Sequence, residues 1–112
     1  LKRYDEAIRA FQKVVELNPD YNLAHCTLAG YYRRLGQENE AQKHITIALP
    51  TMKDETEYNR ACFAAICGNN DQALALLREA LEKKQTTPDW VRRDPDFEFI
   101  RDDPRFAALV SV

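Results

Sequence analysis

Apolar residues recur at intervals of three and four along the first 84 positions, the spacing that lays a single stripe down a 3.6-residue helix. Tyr4, Ala7, Ile8, Phe11, Val14 and Val15 predict a helix over about 2–17, ended by Asn18-Pro19-Asp20. Ala24, Leu28, Tyr31, Tyr32 and Leu35 predict a second over 21–35, which stops at Gly36 because glycine tolerates the left-handed conformation of a helix end. A third, over 38–49, is expected to stop at Pro50. Asp54-x-x-Glu57 reads as a capping box opening a fourth helix over 55–67, with Gly68 as its stop. Ala73, Leu74, Leu77, Ala80 and Leu81 form a clean stripe for a fifth over 71–84.

These helices are related. Ala7-x3-Phe11 returns 34 residues later as Ala41-x3-Ile45, and 32 residues after that as Ala73-x3-Leu77, the early Pro50 accounting for the shorter interval. Between the copies stand Pro19, His25-x2-Leu28-Ala29-x2-Tyr32 and Gly36. This pattern resembles the tetratricopeptide repeat family. The resemblance implies an all-α fold of antiparallel helical hairpins stacked as a right-handed α-solenoid. In that register 1–20 is the second helix of one unit, and 21–50 and 51–86 are two further units. Ala41, Ala48, Ala61, Ala73 and Ala80 then fall where facing helices approach closest. A chain opening on a second helix reads as part of a longer protein. The stripe of Tyr4, Ile8 and Phe11 is expected to lack its hairpin partner and to promote self-association.

From residue 87 the pattern changes. Thr87-Pro88-Asp89-Trp90, Asp94-Pro95-Asp96-Phe97 and Asp103-Pro104-Arg105-Phe106 each place a capping residue before proline, a spacer and an aromatic. The cap accepts free N–H groups of a first turn, and proline at the first helical position has no N–H to leave unpaired. With Tyr58-Asn59-Arg60-Ala61-Cys62 before it, this tail resembles the end-of-group unit of bacterial tetratricopeptide arrays. Segment 87–112 is therefore expected to be a lid, with Trp90, Phe97, Ile100, Phe106 and Leu109 laid over Leu74, Leu77 and Leu81.

Composition narrows the function. A formal charge of −2 with both signs interspersed builds no field for nucleic acid. No apolar run reaches the roughly 20 residues that cross a bilayer. Three cysteines without C-x-x-C spacing fit neither a disulfide framework nor zinc, which favours a reducing, cytoplasmic setting. Cys62 and Cys67 lie about 140° apart around a helix, and the acidic residues Asp94, Asp96, Asp102 and Asp103 lack the frame of a calcium loop. His25 and His44 are 19 positions apart on different helices without an obvious carboxylate orienter; His25 stands where the family often has Trp, a packing role. No catalytic, cofactor or metal site is predicted.

What remains is a surface. The repeat register puts Leu23, Cys26, Thr27, Gly30, Arg33 and Arg34 from one unit, and Tyr58, Asn59, Cys62 and Ile66 from the next, on the concave groove. Arg33 and Arg34 are its natural carboxylate contacts, or else solvated cations at the negative end of a helix. Asn59 matches a peptide-contacting position of chaperone-binding relatives. Cys26 and Gly30 stand where that clamp has Lys and Asn, so chaperone tails are not the expected ligand. The family resemblance implies a non-catalytic scaffold for a protein or peptide partner. An alternative is a regulatory appendage of an upstream signalling enzyme of the Ser/Thr kinase or nucleotide cyclase type.

Overall fold

The computed structural model describes residues 3–111. Its elements are α1 (Tyr4–Leu17), α2 (Asn22–Arg34), α3 (Glu38–Met52), α4 (Glu57–Cys67), α5 (Asn70–Glu82), α6 (Pro88–Arg93), a 3-10 helix (Pro95–Ile100) and α7 (Pro104–Val110). No strand occurs among the described residues. The chain divides between Lys53 and Asp54 into two compact units.

In the first unit α2 and α3 form a hairpin. Gly36 sits at φ 77°, and the turn closes as the Gly36 N–H donates to Arg33 O (3.0 Å) and the Gln37 N–H to Tyr32 O (2.9 Å). Those bonds satisfy carbonyls that a helix end otherwise leaves open. Ile8, Leu28, Tyr32 and Ala41 make the core, with Phe11, Val15 and Tyr31 packed against it. The stripe on α1 is therefore not bare, contrary to the expectation for a helix without its hairpin mate. Tyr4 and Phe11 lie 5.4 and 6.4 Å from the Tyr31 ring, and Ile8 is buried. The next helix in sequence, α2, covers it.

Pro50 does not end α3, which continues to Met52. Proline's φ is compatible with a helix, and so close to the C-terminus it forfeits one backbone bond. The burial of Met52, 3% exposed, holds the extra turn in place.

The second unit repeats the hairpin with α4 and α5. Gly68, at φ 85°, donates to Ala65 O (3.1 Å) and Asn69 to Ala64 O (2.9 Å), the same closure as at Gly36. All five alanines of the repeat register, Ala41, Ala48, Ala61, Ala73 and Ala80, are buried. The capping box is not formed. Thr56, in extended backbone, accepts the Asn59 N–H at 3.2 Å, and α4 starts at Glu57. Glu57 is thus a first-turn residue that reaches across the hairpin, accepting from Lys83 Nζ and Gln85 Nε2, each at 2.7 Å.

In the tail, Thr87, Asp94 and Asp103 each cap a short helix, accepting the N–H groups of Trp90, Asp96 and Arg105 at 3.2, 2.9 and 2.9 Å. Val91, Phe97, Ile100, Phe106 and Val110 join Leu74, Leu76 and Leu77 in one core, with Leu81 and Leu109 at its margin. Trp90 does not take part: it is 55% exposed. Neighbours on a helix point about 100° apart, and with Val91 completely buried Trp90 lies at the rim, its side chain hydrogen-bonded to the Tyr58 hydroxyl.

Candidate functional site

The ten groove candidates fall into two groups. Cys26, Gly30, Cys62 and Ile66 are buried and offer little to a partner. Leu23, Thr27, Arg33, Arg34, Tyr58 and Asn59 keep part of their surface. On α2, Thr27 Oγ donates back to Leu23 O at 3.0 Å, and the Arg34 guanidinium lies 5.5 Å from the Tyr31 ring centroid, a cation–π contact. Leu23, Thr27 and Arg34 are one turn or two apart, so they share a face.

On α4 the polar candidates are tied into the fold. The Asn59 side-chain amide donates to Glu55 Oε1 at 3.0 Å. Tyr58 stands edge-on to Phe97 at 5.8 Å, and its hydroxyl donates to the Asp94 carboxylate, whose other oxygen caps the 3-10 helix. Burial, reinforced by that acidic neighbour, pushes the Tyr58 hydroxyl far above the usual tyrosine range. Tyr58 therefore anchors the tail as a neutral donor. The thiol of Cys62 and one oxygen each of Asp94 and Asp96 lie within 4.8 Å of one another, a juxtaposition that the spacing of Cys62 and Asp94 in the sequence conceals. Asp94, though, is already committed to Tyr58 and to its cap.

The α2–α3 hairpin brings His25 and His44 into contact. His25 Nδ1 and His44 Nδ1 are 2.8 Å apart, and His25 Nε2 is 2.7 Å from Pro19 O. The rings of His25 and His44 stack at 5.1 Å, and His44 stacks almost parallel to Tyr32 at 5.6 Å. Tyr32 in turn accepts from Gln12 Nε2 at 2.7 Å. A carbonyl only accepts, so His25 Nε2 carries hydrogen; the neutral ring's Nδ1 is then the acceptor for His44 Nδ1–H. Burial, then His25, lowers the pKa of His44 below the ordinary histidine value; Glu40 opposes this and Lys43 adds to it. His25, 4% exposed with both nitrogens engaged, is a structural residue, as the packing role at its position predicts. Its partner was hidden by 19 residues of intervening chain.

Two antiparallel helical hairpins closed by left-handed glycines, with polar positions spread over helix faces, define a helical-repeat protein that presents a surface. The chain belongs to the tetratricopeptide repeat family, which residues 1–62 match. It is 37% identical over 78 residues to the antiviral innate immune response effector IFIT1 of Homo sapiens, covering 68% of this chain and 16% of that protein. It is 40% identical over 83 residues to the inactive TPR repeat-containing thioredoxin TTL3 of Arabidopsis thaliana, covering 74% of this chain and 9% of that one. The chain thus spans less than a fifth of the length of these curated relatives. No solved structure matches it. Among the described residues no helix is long and apolar enough to cross a membrane.

Proposed function

We propose that this chain is a non-catalytic scaffold whose partner is a protein or peptide received on the open face of α2. The observation that carries the reading is the repeat architecture itself, since tetratricopeptide hairpins spend their apolar residues on stacking and leave helix faces for partners. On that face Leu23 and Thr27 supply a small apolar step and Arg34, in the last turn, supplies a cation for an acidic side chain or terminal carboxylate, with Arg33 a second cation about 100° further round the helix. The net charge of −2 favours protein over nucleic acid as the partner. None of the three cysteines is in a disulfide and two of them are buried, in keeping with a reducing cytoplasm.

A photo-crosslinking residue at Leu23 or Thr27 tests this in cell extract. Adducts to a discrete protein, lost on Arg34→Glu, are expected. Adducts equal in kind and amount to those from a crosslinker at Gln42, on the exposed side of α3, would refute the reading.

A further inference from the structure

We propose that the His25–His44 pair is an acid-operated latch on the turn between α1 and α2. It holds the turn while the pair carries no more than one extra proton and releases it when both rings are charged. The geometry sets the limit. A first extra proton enters at His44 Nε2, leaving His44 Nδ1–H on His25 Nδ1 and His25 Nε2–H on Pro19 O. A second has only His25 Nδ1 to bind, where it would face another N–H across 2.8 Å. At 2.8 Å there is no room for a water between the two nitrogens, and the two rings must part.

Parting the rings leaves the buried His25 imidazolium with no acceptor at Nδ1, and two polar ties at this turn are drawn into the change. One tie is Pro19 O, held by His25 Nε2 just beyond the end of α1. The other is the Gln12–Tyr32 bond, whose tyrosine is stacked on His44. The charged groups acting on His44 are Glu40 and Lys43 of its own helix, opposite in sign, with His25 across the hairpin. From α1 the neutral Gln12 acts through Tyr32, and the turn presents the Pro19 carbonyl. Burial and His25 lower the pKa of His44 in the fold, so the unfolded chain takes up that proton more readily and stability falls as pH drops below the ordinary histidine value of about 6.5. Each proton withheld costs up to about tenfold in the folding equilibrium per pH unit. Release then uncovers the aromatic surface of Tyr4, Phe11 and Tyr31.

Hydrogen exchange read as protection factors, with NMR titration of the two imidazoles, tests the latch between pH 7.5 and 5. The expected result is a loss of protection in α1 at least tenfold greater than in α5, with the rings titrating in two separated steps. In His44→Gln the amide still donates to His25 Nδ1 at neutral pH and, turned over, presents its carbonyl to a protonated His25. Protection of α1 in that variant should therefore hold through the acid range. Should the variant not fold, the wild-type measurement decides alone: two rings titrating as independent sites, with α1 and α5 losing protection equally, overturns the proposal. So does a His44→Gln protein that folds and releases α1 as the wild type does.

Discussion

Lys84 stands at φ 59°, where Gly36 and Gly68 have φ values of 77° and 85°. Its turn is the same one: Lys84 N–H donates to Leu81 O at 3.1 Å and Gln85 N–H to Ala80 O at 2.9 Å. A side chain in that region costs roughly 1–2 kcal/mol, against which glycine loses roughly 0.5–1 kcal/mol more backbone entropy on folding. Lys84→Gly is therefore expected to stabilise the protein by about 0.5–1 kcal/mol in urea denaturation. Gly36→Ala should do the opposite, by about 1 kcal/mol, and through backbone strain alone because a Cβ there meets nothing within 4 Å. The aromatics of the tail divide as sharply. Phe97 is fully buried, so Phe97→Ala should cost about 3–5 kcal/mol. Trp90→Ala, at an exposed position, should stay within about 0.5 kcal/mol in the same measurement.

Elements in this chain are set by their ends more than by their interiors. Glycine stops and caps followed by proline were legible in the sequence because each has a local cause: a φ only glycine adopts freely, or a side-chain oxygen beside free N–H groups. The turn at Lys84 was not, since nothing local marks a lysine forced into the left-handed region by the chain on either side. The Asp54-x-x-Glu57 box failed because Thr56 competes as a cap from within it, and Glu57 finds better partners across the hairpin. The tail's three similar motifs hid a difference of phase. Phe106 and Val110 are four apart on an α-helix, and Phe97 and Ile100 three apart on a 3-10 helix, so each pair shares one buried face. In α6 the buried position is Val91, one step out of phase with Trp90. Of the candidate surface, the positions on α2 could be read from the repeat, while the histidine pair needed the α2–α3 hairpin to be folded first. The hairpin of α4 and α5 also carries a pH signature. The hydrogen bond from Lys83, then that from Gln85, holds the Glu57 carboxyl down to about 2. A depressed carboxylate stabilises the fold above its unfolded value, and that contribution is lost as pH falls from the usual carboxylate range toward 2. Lys83→Met should move the Glu57 titration, followed by carboxyl NMR shifts, back upward.

A stack of hairpins is stabilised by neighbours, and the second unit has its neighbour built into its own chain. The 3-10 helix packs on α4 and α7 on α5, so five buried side chains of the tail replace the apolar face that another hairpin would supply. Polar ties seal the arrangement: Tyr58 donates to Asp94, Arg92 to the Val110 carbonyl, and Arg105 bridges Asp71 at 2.8 Å and Asp103 at 2.9 Å. The exposed Arg105 bridges contribute little, and the apolar burial dominates. Ending the chain before Thr87 removes that burial at once. It leaves Leu74 and Leu77 facing water, and the loss should be unequal along the molecule. Hydrogen exchange on the truncated protein is expected to show protection in α4 and α5 falling well below that in α2 and α3, which have their own core of Ile8, Leu28, Tyr32 and Ala41. Equal protection in all four helices, with an unchanged melting temperature, would mean that the tail's aromatics and aliphatics contribute nothing to the fold they cover, and that their surface should be tested for peptide binding instead.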